Sequence, residues 1–245
     1  MSNLSSSYKS FIIYFMRLHR FFIEQGIPES GEIIVADKDL IHQWHKVFRL
    51  KSGDRVVIFD GTGFDYVSEF VSLDKNSAVL RVVEKKLNQN IPKKEIHLFQ
   101  SIIKKDKFEW VLEKGTELGV FYFHPIISER SEKKNINFER AGKIIKEASE
   151  QSGRGNLPKI EELTNLEDAL NNDFVSIAFH PTGDKFDEND FEKEKVLGIF
   201  IGPEGGWSDK ELELFKEKGI KILSLGNQIL KAETSAIAVS SLLLL

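Results

Sequence analysis

Glu204 and Glu233 are the only carboxylates inside two glycine-bounded loops of the C-terminal third, and a carboxylate held beside a ligand can accept a proton in catalysis. The first loop, Gly202-Pro203-Glu204-Gly205-Gly206, interrupts the apolar run 196–201; the second follows the run 220–225 and begins at Gly226. Gly205 and Gly206 permit torsions closed to residues with a Cβ, so peptide N–H groups can be turned toward a ligand at close approach. Each carboxylate also has a plainer role: Glu204 to shape the turn, Glu233 to lie at the positive end of the last helix. The spacing in IGPEGG does not fit G-x-G-x-x-G, and no G-x-x-x-x-G-K-[ST] occurs, which excludes a dinucleotide fingerprint and a P-loop.

Other reactive side chains are more scattered. Lys104, Lys105 and Lys107 follow an apolar run at 97–103, and Arg154 follows Gly153; such positions serve phosphate contacts or a solvated rim equally well. Arg17, His19 and Arg20 cluster near the N-terminus, where alternation puts Arg17 and His19 on one side of a strand; an edge strand protected by charge is the alternative. His42 and His45 have a metal-compatible spacing but no third ligand accompanies them, so no metal is expected. Cysteine is absent, which rules out a disulfide, a thiolate nucleophile and Cys-ligated zinc, and suits a reducing cytoplasm.

The elements that must position these residues fall into two rhythms. From residue 18 to 84, short strands (18–23, 32–35, 55–60, 64–73, 78–83) alternate with Gly and Asp turns around one helix at 38–48, the pattern of a small curled barrel. After a linker at 88–92, strands at 97–103, 120–127, 174–179, 196–201 and 220–225 alternate with helices at 107–118, 137–152 and from 208 onward, which implies an α/β domain with a mostly parallel sheet. Ser208 with Glu211, and Thr164 with Glu167, have capping-box spacing; Asn137 is the expected cap of the helix to Ser152. The strand at 174–179 is expected to stop at His180-Pro181, with a charged surface loop over 183–195, and Leu242 to Leu245 to form the buried face of a last helix. The expected organisation is an extension over 1–15, a barrel domain over 16–90 and a larger domain over 91–245.

Hydrophobic residues at 41% and charged residues at 29% describe an ordinary globular chain, and no stretch reaches the roughly 18 apolar residues of a membrane span. The net charge of −4 is unevenly spread: residues 161–245 carry 17 acidic against 8 basic side chains, whereas 91–160 carry 14 basic against 10 acidic. Such asymmetry permits an anionic partner on one side only, and solvated lysine-rich helix faces account for the charge at least as well.

Taken together, IGPEGG, the capping box behind it, LGNQILKAETSA, and the upstream EKGTELGV and EQSGR resemble the RsmE family of SPOUT-class methyltransferases. The resemblance runs from Met16 to the C-terminus, with MRLHRFF and FRLKSGDRVVIFDG similar to the family's N-terminal domain. It implies an α/β chain: a C-terminal SPOUT-type, trefoil-knotted parallel-sheet domain behind a small PUA-like β-barrel that binds RNA. It implies S-adenosylmethionine-dependent methylation of N3 of a uridine in 16S ribosomal RNA of the small subunit, and a homodimer with a shared site. By position, the cofactor is expected against His180 and Pro181; against Ile201, Gly202, Pro203, Gly205 and Gly206; and against Leu225, Gly226, Ile229, Leu230 and Ala232. RNA is expected at Arg17, Arg20, Lys104, Arg154 and Lys231. Gln228 and Lys231 stand where the family usually has Arg, and Asn227 and Ala232 also depart from its pattern; Gln228 loses a charge and Lys231 loses the bidentate fork. Two further readings are a non-catalytic RNA-binding or ribosome-assembly protein that kept the fold, and a SPOUT methyltransferase acting on another RNA.

Overall fold

The computed structural model describes residues 18–132 and 135–245, so the expected extension over 1–15 and Arg17 lie outside the described residues. The chain divides into two compact units, 1–89 and 90–245.

In the N-terminal unit, β1 (Arg20–Phe22), β2 (Gly31–Val35), β3 (Arg55–Phe59), β4 (Phe64–Leu73) and β5 (Ala78–Leu87) form one sheet in the order β1-β3-β4-β5-β2. Only the β1–β3 pair is parallel. The period-2 alternation of β3 puts Val56 and Ile58 in the core. Asp37 caps α1 (Lys38–His42), which continues as a π-helical turn over Gln43–Val47 and delivers Trp44 between Phe21 and Phe70, edge-on to both at 5.7 and 5.0 Å. His45 Nε2 meets the Asp74 carbonyl at 2.9 Å, which commits that imidazole to the backbone.

The C-terminal unit is the α/β layer expected from alternating strands and helices. Its strands are β6 (Glu95–Ser101), β7 (Tyr122–Ile127), β8 (Lys159–Ile160), β9 (Thr164–Asn165), β10 (Ser176–Lys185), β11 (Val196–Ile201) and β12 (Lys221–Ser224). They run in the order β12-β10-β11-β6-β7-β8, with β9 also on β7, and every pairing is parallel. β11 lies between β10 and β6, and its residues 197–201 are all buried, as an unbroken apolar run requires. One face is covered by α2 (Lys105–Leu118), α3 (Phe138–Ser152) and α6 (Ala232–Leu244), with Val111, Ile145 and Val239 in a common core. The opposite face takes α4 (Leu166–Ala169) and α5 (Asp209–Glu217), where Phe215 packs edge-on to Phe200 and Trp207. Since α5 and α6 lie on opposite faces, the connection 225–231 leaves the edge strand β12 and crosses the carboxyl ends of the sheet to reach α6 beside α2.

Four local expectations are corrected. The helix after β9 is capped by Asn165, whose side chain accepts the Asp168 N–H at 2.8 Å, not by Thr164 with Glu167, because Thr164 is held in β9 against Ile126. β10 does not stop at His180: it bulges over 180–183 and rejoins β12 at Asp184 and Lys185. Gly183 makes this possible, since a Cβ there would lie 2.6 Å from the Leu223 backbone. The acidic stretch beyond includes a short 3-10 turn, Glu188–Phe191, that buries Phe191, so 183–195 is not simply a surface loop. In the last helix Leu243 and Leu244 are buried, whereas Leu242 and Leu245 are exposed, because four consecutive residues cannot share one helix face. No helix among the described residues is long and apolar enough to cross a membrane.

Candidate active site

At the bulge of β10 and beyond the carboxyl ends of β11 and β12 lies a cleft of about 600 Å³, walled by the loop after β11 and the loop after β12. Parallel sheets bind ligands at this edge, where loops are free to vary over a fixed scaffold. Phe179, Ile201, Leu225 and Leu230 are among its apolar lining residues, and residues 202–206 and 228–232 complete the two walls.

The first wall is shaped by close packing. An ideal Cβ on Gly202 would lie 3.2–3.3 Å from the indole of Trp207, which is itself fixed by its Nε1–H donating to the Phe179 carbonyl at 3.1 Å. That bond ties the end of β10 to the loop after β11. Gly206, at φ +67°, closes a turn in which its N–H donates to the Pro203 carbonyl at 2.9 Å. The wall then enters α5 through the predicted capping box: Ser208 Oγ accepts the Glu211 N–H at 3.3 Å and Glu211 Oε2 accepts the Ser208 N–H at 2.8 Å. Glu211 uses its other oxygen to accept the Glu129 N–H at 2.8 Å, and Ser208 Oγ meets the Glu129 carboxylate at 2.7 Å.

His180 stands where β10 bulges. Its Nδ1 meets the Thr182 hydroxyl at 2.8 Å and the Thr182 N–H at 3.3 Å, and its Nε2 faces Gly206. Burial, and then the positive charge of Arg130, push the imidazole below its usual range, while Asp209 opposes them. The shift favours the neutral imidazole at this edge of the cleft. In the second wall Ser224 Oγ donates to the Gly226 carbonyl at 3.0 Å, and Gly226 itself has φ +136°.

Both candidate carboxylates reach the cleft by different routes. Glu204 is exposed and accepts the Lys104 N–H at 3.1 Å, so it joins the loop to the start of α2. Glu233 is buried in the first turn of α6, with the Lys107 ammonium 3.7 Å from Oε1, so its charge is partnered. Lys104 and Lys231 also line the mouth.

All the positions expected against the cofactor line this cleft except Gly226, which shapes the loop from behind. Of the residues expected at RNA, Lys104 and Lys231 line the cleft. Arg20 pairs with Asp65, and its guanidinium sits 4.8 Å from the centre of the Phe59 ring, so that side chain is engaged within the N-terminal unit. Arg154 is 3% exposed, and its Nη1 donates to the carbonyls of Thr116 and Val120 at 3.0 and 2.7 Å, which ties the end of α3 to the carboxyl end of α2. Burial pushes its pKa down to about 10. Sequence reasoning missed Lys107 as the partner of Glu233, and missed Arg130, whose contacts cross the sheet from the end of β7 and leave no local spacing signal.

Comparison with known proteins agrees with this geometry. An RNA methyltransferase domain model matches residues 89–244, and an RNA methyltransferase PUA domain model matches 46–83. The chain is 32% identical over 236 residues to ribosomal RNA small subunit methyltransferase E of Rickettsia conorii, covering 91% of this chain and 93% of that protein. It is 35% identical over 227 residues to ribosomal RNA small subunit methyltransferase E 2 of Borreliella burgdorferi, covering 88% and 92%. Ribosomal RNA small subunit methyltransferase E from Neisseria gonorrhoeae, solved bound to S-adenosyl methionine, superposes with a TM-score of 0.83 at 25% identity, covering 92% of this chain and 96% of that one. The SPOUT-type parallel domain and PUA-like N-terminal domain follow from the sheets and these matches together, and the chain belongs to the ribosomal RNA small subunit methyltransferase E family of RNA methyltransferases.

Proposed function

We propose that this chain binds S-adenosylmethionine in the cleft at the β10 bulge and beyond β11 and β12, and methylates N3 of a uridine in 16S ribosomal RNA, as a cytoplasmic enzyme. The observation that carries the reading is the cleft itself: a mainly apolar lining with the glycine-rich loop 202–206 on one wall suits an adenosyl group. The residues present fit, with the His180 imidazole facing the turn at Gly206 and Gly202 packed where a Cβ would crowd the Trp207 indole at 3.2–3.3 Å.

The bound cofactor supplies a methyl already activated by its sulfonium. The chain's task is then to hold the uracil nitrogen in line with the S–CH₃ bond and to take the N3 proton; positioning is the larger contribution. Glu233 suits the proton acceptor better than Glu204, because it is a buried carboxylate lining the cleft, whereas Glu204 is exposed and already accepts from the Lys104 N–H. A uridine in structured RNA must leave its stack to reach this depth, and Lys104 and Lys231 at the mouth are placed to hold the flanking phosphates. The family likeness further supports a homodimer, in which a second copy contributes to RNA binding.

Gln228 lines the cleft as a neutral side chain where the family usually has a cation, and it motivates a second reading: an RNA-binding protein that no longer transfers methyl groups. Calorimetry of the purified protein with S-adenosylmethionine separates the two. Saturable one-site binding is expected; absence of binding favours the second reading.

A further inference from the structure

The turn after β7 is fixed within itself. Ser131 N–H donates to the Ser128 carbonyl at 3.1 Å, Ser128 N–H reaches Ser131 Oγ at 3.2 Å, and the two hydroxyls meet at 2.8 Å. From this base Arg130 reaches the glycine loop, where its Nη1 donates to the carbonyls of Gly205 and Trp207 at 3.0 and 3.2 Å. The N–H ends of the same two peptide groups are also engaged: that of Gly206 by the Pro203 carbonyl, and that of Ser208 by Glu211 Oε2. Both peptide planes are thus held at both ends. Arg130 itself is exposed and does not line the cleft. Its stem packs closely, since a Cβ on Gly205 would lie 3.2 Å from Arg130 Cβ.

We propose that Arg130 is a positioning residue for the cofactor, holding residues 203–207 in their ligand-bound shape before the ligand arrives. The proposal rests on the reading of the cleft as the S-adenosylmethionine site. Its physical basis is preorganisation: two glycines in succession are the most mobile backbone the chain offers, and any loop that must order on binding takes that entropy from the affinity. A charge-assisted bond from one guanidinium to two carbonyls removes that freedom in advance. The same cation acts on the charge state of the cleft, since it and Asp209 are the charged neighbours that set the titration of His180 from opposite directions.

The test uses Arg130→Gln and Arg130→Lys in the full chain. Arg130→Gln removes charge and reach together; Arg130→Lys keeps the charge but not the pair of bonds. In calorimetry, S-adenosylmethionine affinity is expected to fall about tenfold or more in both variants, the scale of a lost charge-assisted bond. In steady-state assays KM for the cofactor rises by more than kcat falls. NMR titration of His180 in the cofactor-free protein is expected to move up in Arg130→Gln and to stay near wild type in Arg130→Lys, a split that loss of packing alone does not produce. Wild-type affinity in both variants overturns the proposal, as does a His180 titration that is the same in all three proteins. If the wild type binds no S-adenosylmethionine, the cofactor reading fails, and the His180 titration still decides whether Arg130 governs this loop.

Discussion

At Gly202 the missing side chain matters more than any side chain present. Gly202→Ala places a methyl 3.2–3.3 Å from an indole that cannot slide, because Nε1 is bonded to the Phe179 carbonyl. Overpacking of this kind costs about 1–3 kcal/mol, so S-adenosylmethionine affinity measured by calorimetry is expected to fall about tenfold while the thermal melt of the C-terminal unit drops by only a few degrees. Glu233→Gln keeps shape and removes the proton acceptor. Single-turnover methyl transfer should slow by roughly 10²–10⁴-fold with cofactor affinity nearly unchanged, whereas Glu204→Gln should slow it far less. These residues were legible because glycine and carboxylate types are informative inside loops. The burial of Arg154 was not legible, since a basic residue after a helix-ending glycine has the same sequence appearance whether it faces solvent or turns back onto the Thr116 and Val120 carbonyls. Arg130 was not read as a site residue, and Lys107 was read for phosphate contacts and not as the partner of Glu233, because their partners, Gly205 and Glu233, are distant in sequence.

Elements whose signals are local were read well. β11 is an unbroken apolar run, and the helix behind it begins at Ser208 with Glu211 three residues on. Ser208→Ala is expected to cost about 1 kcal/mol for the cap alone, and more because the hydroxyl also meets Glu129. A melting temperature lowered by about 2–4 °C or more checks it, with Glu129→Gln lowering it less. Arg154→Leu should destabilise the C-terminal unit by about 2 kcal/mol, read by denaturant midpoint, because the Val120 carbonyl beyond α2 loses the guanidinium and the Thr116 carbonyl is left with the Gly119 N–H alone. The bulge in β10 was not legible, since it is set by Gly183 against the Leu223 backbone, a contact of tertiary origin. The capping-box spacing at Thr164 was real in sequence but lost to β9, where Thr164 pairs with Ile126.

Across the whole molecule, alternation of strands and helices predicts a parallel sheet but not the order β12-β10-β11-β6-β7-β8, which depends on which edge each strand joins. The expectation of a knot came from family likeness alone, because periodicity carries no information about threading. One global property follows from the sheet. His124 lies against His97, Nε2 to Nδ1 at 2.9 Å, with Glu95 Oε1 3.0 Å from the far side of His97 and the Phe99 ring stacked at 4.3 Å. Burial, and then His97, push His124 down to about 4. Its folded pKa is below its unfolded value of 6.5, so the unfolded chain binds the proton first; stability is full above about pH 6.5 and falls as pH drops toward 4. The loss is roughly 2 kcal/mol once the ring's partial exposure is allowed for, and His124→Phe should flatten that slope in denaturant titrations at pH 7 and pH 5.

The most direct measurement is to incubate the purified protein and labelled S-adenosylmethionine with small ribosomal subunits from cells lacking it, then map the labelled nucleotide. Label on N3 of a single uridine in 16S ribosomal RNA, strongly reduced with Gly202→Ala and with Glu233→Gln, is the result expected of this cleft. No label, or label on another RNA or another atom, contradicts the account.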